Sequence, residues 1–267
     1  MTNRLDVYIT ENCGIKSRER AKQLIKNGFV KVNGSVSTKP AMQVGDEDDI
    51  ECLDDGMNFV GRGGLKLEHA CEAFQLDLNN KVCADIGAST GGFTQCMLEH
   101  GAEFVYAIDV GHDQLDETLK SNVKVKNCEG VNARNLTADF FDKQISFISG
   151  DLSFISLKLV VPSLVNCLCD NGEIVLLIKP QFEAGKRALN KKGIVKAQND
   201  HVRVLNELLS FFRASGLAVQ GLAVSPIKGG DGNIEYLAYL KKCDLSNDKL
   251  GQLDLRSFVK EAFAKNV

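Results

Sequence analysis

Val82-Cys83-Ala84-Asp85-Ile86-Gly87-Ala88-Ser89-Thr90-Gly91-Gly92-Phe93 is the stretch that decides the fold. A short apolar run closes on an acid and a glycine, and a helical pattern follows over residues 92–99. That order describes a buried strand turning through a glycine loop into a helix. Glycines in such a loop let a ligand approach the backbone. The spacing is not G-x-G-x-x-G, so the usual dinucleotide fingerprint is absent. The next apolar run, Phe104-Val105-Tyr106-Ala107-Ile108-Asp109, closes on a carboxylate 22 positions after Gly87. A carboxylate there can accept hydrogen bonds from both hydroxyls of an adenosine ribose. Loop and acid together point to a nucleoside cofactor, and by themselves they leave S-adenosylmethionine and a nucleotide both open.

Working outward, further strands are predicted at residues 145–148 and 174–178, with helices over 157–169 and 199–214. Apolar runs separated by helical patterns indicate a parallel sheet covered on both faces. The last strands, 217–225 and 233–240, are joined by Lys228-Gly229-Gly230-Asp231-Gly232-Asn233. That connection is too short for a crossover helix, so the pair is predicted antiparallel. The expectation is an α/β Rossmann-like sheet with an antiparallel terminal hairpin. Upstream, Leu5, Tyr8 and Ile9 fall at helical spacing, with Gly14 as the expected C-cap. Ser17 is the expected cap of a second helix through Lys26, with Ala21, Leu24 and Ile25 as its apolar stripe. Asn33-Gly34, set between alternating apolar residues from Phe29 to Val36, signals a hairpin. These parts predict a small α+β module at residues 1–56, a linker at 57–64, the large domain at 65–245 and a C-terminal helical extension at 246–267.

The 267 residues carry a formal charge of −3, which at first argues against a polyanionic partner. The charge is segregated, however. Residues 1–40 hold eight basic residues and three acids, residues 41–60 hold seven acids and no base, and the rest is nearly balanced. Arg18, Lys22 and Lys26 recur every four residues on one helix face. Lys186, Arg187, Lys191, Lys192 and Lys196 form a second island with no acid between them. Two local basic surfaces inside a weakly acidic chain fit an anionic partner. No window approaches the roughly 18 apolar residues of a membrane helix, and the N-terminus lacks signal-peptide architecture, so a cytoplasmic protein without a membrane partner is expected. Nine scattered cysteines without C-x-x-C or a paired histidine predict reduced core thiols and no metal. The oligomeric state is not readable.

Four polar residues fall where this topology puts chemistry, outside the carboxyl ends of the strands. Lys66 opens a predicted helix with Leu67, Ala70, Cys71 and Phe74 on its apolar face. Asp151 follows a strand, Lys179 ends one just before Pro180, and Glu235 lies in the final hairpin.

Two resemblances add to this reading. Arg4-Leu5-Asp6, Ser17-Arg18-x-x-Ala21, Leu24-Ile25-x-x-Gly28 and Val30-x-Val32-Asn33-Gly34 resemble the αL RNA-binding domain of a ribosomal small-subunit protein, pseudouridine synthases and tyrosyl-tRNA synthetases. Over nearly the whole chain, the sequence resembles the TlyA family, in which that domain precedes an FtsJ-like 2′-O-ribose methyltransferase domain. The strings that carry this are Val60-Gly61-Arg62-Gly63-Gly64-Leu65-Lys66-Leu67, Asp85-x-Gly87-Ala88-Ser89-Thr90-Gly91-Gly92-Phe93-Thr94, Asp151-Leu152-Ser153-Phe154-Ile155-Ser156-Leu157, Lys179-Pro180-Gln181-Phe182-Glu183 and Gly232-Asn233-x-Glu235-Tyr236. The family often has Trp before Val in the linker, where this chain has Phe59, and Ser is common where Gly61 stands. The resemblance implies S-adenosyl-L-methionine as cofactor, held by Asp85, the 87–93 loop and Asp109. It implies a Lys66, Asp151, Lys179 and Glu235 catalytic set. It also implies methylation of cytidine 2′-hydroxyls in ribosomal RNA within ribosomal subunits, with Arg4, Arg18, Lys22, Lys26, Lys186, Arg187, Lys191 and Lys192 meeting RNA.

In that reading Lys179 takes the 2′ proton, Lys66 stabilises the developing oxyanion, and Asp151 and Glu235 orient the lysines. Some relatives carry a hemolysin name, so a membrane-active cytolysin is one rival. A non-catalytic ribosome-assembly factor is another.

Overall fold

The computed structural model describes residues 2–15, 18–26, 28–45, 47–52, 59–250 and 253–265. The chain divides into two compact units, Met1–Gly61 and Arg62–Val267.

In the first unit, β1 (Asn3–Arg4) leads into α1 (Leu5–Asn12), and α2 (Arg18–Lys26) is followed by β2 (Val30–Val32), β3 (Ser35–Val36), β4 (Gln43–Val44) and β5 (Ile50–Cys52). Helix α1 ends one turn-residue earlier than predicted, at Cys13, and Gly14 follows at φ +68°. Ser17 lies outside the described residues. The hairpin forms as predicted, with Asn33 and Gly34 both at positive φ, the type of turn that matches strand twist. The sequence does not announce the third strand. Ile50-Glu51-Cys52 sits within the acidic block, yet it pairs with β2, and Glu51 faces Lys31 at 3.2 Å. Asp48 accepts from Asn33 and from the Gly45 amide, so this part of the acidic block belongs to the folded unit. Leu5, Ile9, Ala21, Leu24, Ile25, Val30, Val32 and Val44 make the core. Against it Asp6 is fully buried, accepting from Arg4 Nε and Nη2 at 3.0 and 3.1 Å and from Arg18 Nε at 3.1 Å.

In the second unit, a seven-stranded sheet carries the fold. Its strands are β6 (Val82–Ile86), β7 (Phe104–Asp109), β8 (Val125–Glu129), β9 (Ile145–Gly150), β10 (Leu168–Ile178), β11 (Ala218–Val224) and β12 (Tyr236–Lys241), in the spatial order β11-β12-β10-β9-β6-β7-β8. The five strands from β10 to β8 are parallel, and β12 is antiparallel to both β10 and β11. The helices are α3 (Gly63–Phe74), α4 (Gly92–Glu99), α5 (Glu117–Lys120), α6 (Val161–Cys167), α7 (Pro180–Glu183), α8 (Gln198–Ala214) and α9 (Leu255–Lys265). Strand alternation divides the sheet into two faces. Ala84, Ile86, Tyr106, Ile148, Leu176 and Ile178 share one core with Leu164, Val204, Leu205 and Leu208 of α6 and α8. On the opposite face Asp85 and Ser149 meet Thr94 and Met97 of α4.

Where one helix is predicted over 157–169, the chain makes a 3₁₀ turn, Leu157–Leu159, and then α6. Ser156 caps the turn by accepting from the Lys158 amide, and Pro162 sits in the first turn of α6, where a missing N–H costs nothing. Strand β8 was not predicted, because Lys126, Asn127 and Glu129 make this edge strand polar. Its Glu129 carboxylate accepts from the backbone of Asp113, Gln114 and Leu115, anchoring the loop beyond β7. Those amides, Leu115 first, hold its carboxyl down to about 2.

Two buried carboxyls yield predictions. Arg4 and Arg18 hold Asp6 down to about 2 against its burial. Asp6 therefore contributes stability above about 3.8 that is lost as pH falls through about 2. Asp6→Asn is expected to lower unfolding free energy by about 2 kcal/mol at neutral pH in urea denaturation. Asp85 behaves oppositely. Complete burial raises its carboxyl from 3.8 to about 7, against the Thr94 hydroxyl that donates to it at 2.7 Å. The folded state then binds the proton more tightly, so this group's contribution falls as pH rises between about 4 and about 7. Asp85→Asn is expected to flatten that slope in melting curves across the window, and an unchanged slope would contradict the assignment.

Candidate active site

The register of three neighbouring strands assembles the site. Gly150 of β9 pairs with Ile86 of β6 on one side and Leu176 of β10 on the other. The residues just past these strands, Gly87, Asp151 and Lys179, therefore come out in a row along one edge of the sheet. Strand β12 begins with Tyr236 opposite Ile178, which sets Glu235 beside that row. The chain runs from β6 outward to β8 and then returns to β9 and β10, so the row lies at the topological switch point where open α/β sheets bind ligands.

Lys66 reaches this row from the first turn of α3. Its Nζ lies 2.8 Å from Glu235 Oε2 and 3.3 Å from Asp151 Oδ2. Lys179 Nζ lies 2.6 Å from Asp151 Oδ1 as an ion pair and donates to Ser153 Oγ at 2.7 Å. The four residues implied by the family resemblance are thus within contact of one another. Lys66, Lys179 and Glu235 are each under 9% exposed. Burial acts to raise the Asp151 carboxyl, but the Lys66 and Lys179 ammonium groups outweigh it and hold the group below the ordinary carboxylate range. Two cations and two anions make the cluster neutral as a whole, which is what lets it exist away from water. The two lysines differ in their partners: Lys66 is held by two carboxylates, Lys179 by one carboxylate and a hydroxyl.

Next to Asp151 a cavity of about 430 Å³ opens between the ends of β6, β7 and β9. Gly87, Ser89, Asp109, Asp151 and Ser153 supply its polar wall, and Ile108, Val131, Ala133, Ile155 and Val160 its apolar wall. Gly87 stands at φ +82°, and a Cβ there would come within 2.7 Å of the Asp151 carbonyl oxygen, so only glycine fits. Asp109 faces the cavity, and its carboxylate accepts from the Ser89 and Gly111 amides at 2.8 Å each. The other expected cofactor contacts are distributed differently. Ala88, Thr90, Gly91, Gly92 and Phe93 form the turn into α4 behind the wall. Asp85 is sealed beneath it on Thr94 and Ser149, so its role is to support the loop. An apolar slot with a carboxylate at one end and a glycine-lined backbone fits a nucleoside with a charged tail.

Several residues at this site were quoted in the sequence strings without a role. Phe154 is a bulky residue at φ +62°, is 90% exposed, and packs against Phe182 with ring centroids 5.0 Å apart and the ring planes tilted by 47°. Phe182 in turn lies 5.9 Å from Lys179 Nζ. The left-handed backbone and the solvent-facing ring make Phe154 a candidate functional residue on the cavity wall. Gln181 Nε2 donates to Glu235 Oε1 at 3.2 Å, while its buried Oε1 has no hydrogen-bond partner among the described residues. Glu183 accepts from Ser156 Oγ and the Leu157 amide, tying α7 to the loop after β9.

The basic residues divide. Lys186, Arg187, Lys191 and Lys192 are all exposed, on the segment leading from α7 into a turn closed by the Leu189–Val195 bridge. Asn233, two residues before Glu235, holds that turn: its Oδ1 accepts from the Val195 amide and its Nδ2 donates to the Gly193 carbonyl. His201 adds a second tie, reaching Val195 and the Tyr236 hydroxyl. The lysines are therefore anchored to the loop that presents Glu235. In the first unit, Arg4 donates from Nε and Nη2 to Asp6, and Arg18 donates from Nε. The Lys26 side chain lies outside the described residues.

Residues 59–242 match the FtsJ-like methyltransferase family, and residues 4–50 match the S4 domain. The chain is 37% identical over 239 residues, 89% of both chains, to the 16S/23S rRNA (cytidine-2′-O)-methyltransferase TlyA of Mycobacterium tuberculosis. A solved structure from Streptococcus thermophilus, described as a candidate hemolysin, is 39% identical with a TM-score of 0.79 and covers 99% of this chain and 98% of its own. An S-adenosylmethionine-dependent methyltransferase of Mesorhizobium loti, 14% identical with a TM-score of 0.51 over 68% of this chain and all of its own, shares the fold. Among the described residues no helix is long and apolar enough to cross a membrane. Strand order, the clustered Lys66, Asp151, Lys179 and Glu235 and these matches agree: the chain belongs to the FtsJ-like methyltransferase family and carries an S4 domain ahead of the methyltransferase domain.

Proposed function

We propose that this protein is an S-adenosylmethionine-dependent 2′-O-ribose methyltransferase acting on cytidine in ribosomal RNA within ribosomal subunits. The observation that carries the proposal is the Lys66–Asp151–Lys179–Glu235 cluster abutting a nucleoside-sized cavity. S-adenosylmethionine fits the cavity: Asp109 would hold its ribose hydroxyls, the apolar wall its adenine, and Gly87 its amino-acid end. When bound, it supplies a sulfonium methyl for in-line transfer.

A ribose hydroxyl is a poor nucleophile at neutral pH, so the chain must take its proton and stabilise the oxyanion. Lys179, with a single carboxylate partner and its amine beside Ser153 on the cavity wall, is assigned as base, acting once its ammonium has released a proton to solvent. Lys66, clamped by Asp151 and Glu235, is assigned as the fixed positive charge that faces the developing oxygen anion. The two carboxylates keep both amines in place and neutralise the pair. Phe154 is assigned as the platform for the target base, since stacking on an exposed ring can hold a nucleotide turned out of its helix. The S4 domain, through Arg18 and Lys22, and the lysine-rich turn at 186–192 would grip RNA phosphates.

Radiolabelled methyl transfer to isolated ribosomal subunits tests this. Lys179→Ala is expected to slow transfer about 100-fold or more while cofactor affinity in calorimetry stays within a few-fold of wild type. Asp109→Ala is expected to do the reverse of that second result and weaken cofactor binding. Near-normal transfer by Lys179→Ala would remove Lys179 from its role. Phe154→Ala is expected to raise KM for RNA about tenfold, the value of one stacking contact, without weakening the cofactor.

A further inference from the structure

A second cluster lies where α3 packs against α4. Among the described residues, Cys71 Sγ, Cys96 Sγ and a ring nitrogen of His100 lie within 4.8 Å of one another. Glu68 adds a fourth donor: its Oε2 is 3.5 Å from Cys96 Sγ and 3.7 Å from His100 Nδ1, and Cys96 Sγ is 3.8 Å from His100 Nδ1. Both cysteines are buried, and His100 and Glu68 close the cluster toward solvent at 28% and 35% side-chain exposure. None of the four takes part in the chemistry assigned above.

From this geometry we infer a binding site for one Zn²⁺ ion, with the Cys71 and Cys96 thiolates, His100 Nδ1 and Glu68 Oε2 as its four ligands. Zinc–sulfur bonds of about 2.3 Å and zinc–nitrogen or –oxygen bonds of about 2.0–2.2 Å in a tetrahedron put neighbouring ligand atoms about 3.4–3.8 Å apart. The three separations quoted above, 3.5, 3.7 and 3.8 Å, match the edges among Cys96, His100 and Glu68, and Cys71 Sγ, within 4.8 Å of Cys96 and His100, would close on the ion by side-chain adjustment. Two sulfurs, one imidazole and one carboxylate form a donor set that favours zinc over the hard ions magnesium and calcium. The helices explain why the donors converge. Glu68 and Cys71 stand three apart on α3, and Cys96 of α4 and His100 at its C-cap stand four apart, so each pair lies on one face and the two faces meet. The linear sequence predicts no metal because β6 and the glycine loop separate the two pairs.

Loading moves protons in a defined way. Each thiol gives its proton to solvent as its sulfur bonds the metal. His100 must carry its proton on Nε2, and Nδ1 exchanges its 3.1 Å contact with the Cys96 carbonyl for the metal. The ion would join the helix that carries Lys66, two residues before Glu68, to the helix that follows the cofactor loop. Its role is a staple between the two elements on which the active site depends, not a catalyst.

The test is titration of the full chain, stripped of metal and reduced, with Co²⁺ as a spectroscopic probe and then with Zn²⁺. The expected result is one Co²⁺ per chain with thiolate charge-transfer and tetrahedral d–d bands, displaced by one Zn²⁺, and a melting temperature raised by Zn²⁺. Cys96→Ser is expected to abolish the tetrahedral bands and weaken Zn²⁺ at least about 100-fold. His100→Ala, on the exposed side, is expected to keep the fold and the thiolate bands but weaken Zn²⁺ about tenfold or more. Cys243→Ser, outside the cluster, should behave as wild type. Absence of tetrahedral bands, equal Zn²⁺ affinity in wild type, Cys96→Ser and His100→Ala, or a stable Cys71–Cys96 disulfide in place of metal uptake would each overturn the site. These readouts are independent of methyl transfer.

Discussion

The Asp151 carboxylate, held between two ammonium groups, is the interaction on which the second unit turns. It is largely removed from water, and only the simultaneous approach of Lys179 at 2.6 Å and Lys66 at 3.3 Å makes its ionised form affordable there. That requirement links three parts of the chain that are far apart in sequence. Lys179 must end β10 one strand away, Lys66 must open a helix on the sheet's other flank, and Glu235 must precede β12 to balance the second lysine. The backbone of Asp151 is tied in as well: its amide donates to the Ile86 carbonyl at 3.0 Å, and its own carbonyl occupies the space that a side chain at Gly87 would need. Sheet register, glycine loop and charge cluster are therefore one constraint seen from three sides.

Around this centre the carboxylates and amides without a catalytic role act as positioning groups. Glu129 gathers three amides beyond β7 and keeps the loop next to Asp109 in place. Glu183 ties α7 to the loop after Asp151, and Asn233 ties the lysine-rich turn to the loop that carries Glu235. The basic island at 186–192 is thereby fixed to the loop that carries Glu235. The net charge of −3 concealed this, since it sums the island with a separate acidic block, two of whose seven acids are engaged within the first unit, Asp48 on Asn33 and Glu51 on Lys31.

What was legible in the sequence follows physical lines. Buried parallel strands read clearly because Val82–Ala84 and Phe104–Ile108 are unbroken apolar runs, and an acid, Asp85 or Asp109, follows each directly. Strand β8 did not read because an edge strand tolerates Lys126 and Asn127 on its exposed side. Ile50–Cys52 did not read because its charged centre pairs across the strand with Lys31, a partner that no local pattern reveals. Lys66, Asp151, Lys179 and Glu235 could each be singled out from the predicted topology, but only the family strings joined them into one set, since four residues on four elements have no common period. The Arg4–Arg18 cage around Asp6, the exposed Phe154 and the Cys71–Cys96–His100 group share that property. Each depends on long-range juxtaposition, and the left-handed backbone of Phe154 leaves no trace in the identity of the residue.

The central claim is that the cluster around Asp151 serves an attack by a ribose oxygen. The most direct measurement is the position of the transferred methyl. Ribosomal subunits treated with enzyme and isotopically labelled S-adenosylmethionine would be digested to nucleosides and resolved by mass spectrometry. The account predicts label in 2′-O-methylcytidine, its fragment ions placing the methyl on the sugar. Label on the base of any nucleoside, with none on ribose, would contradict it.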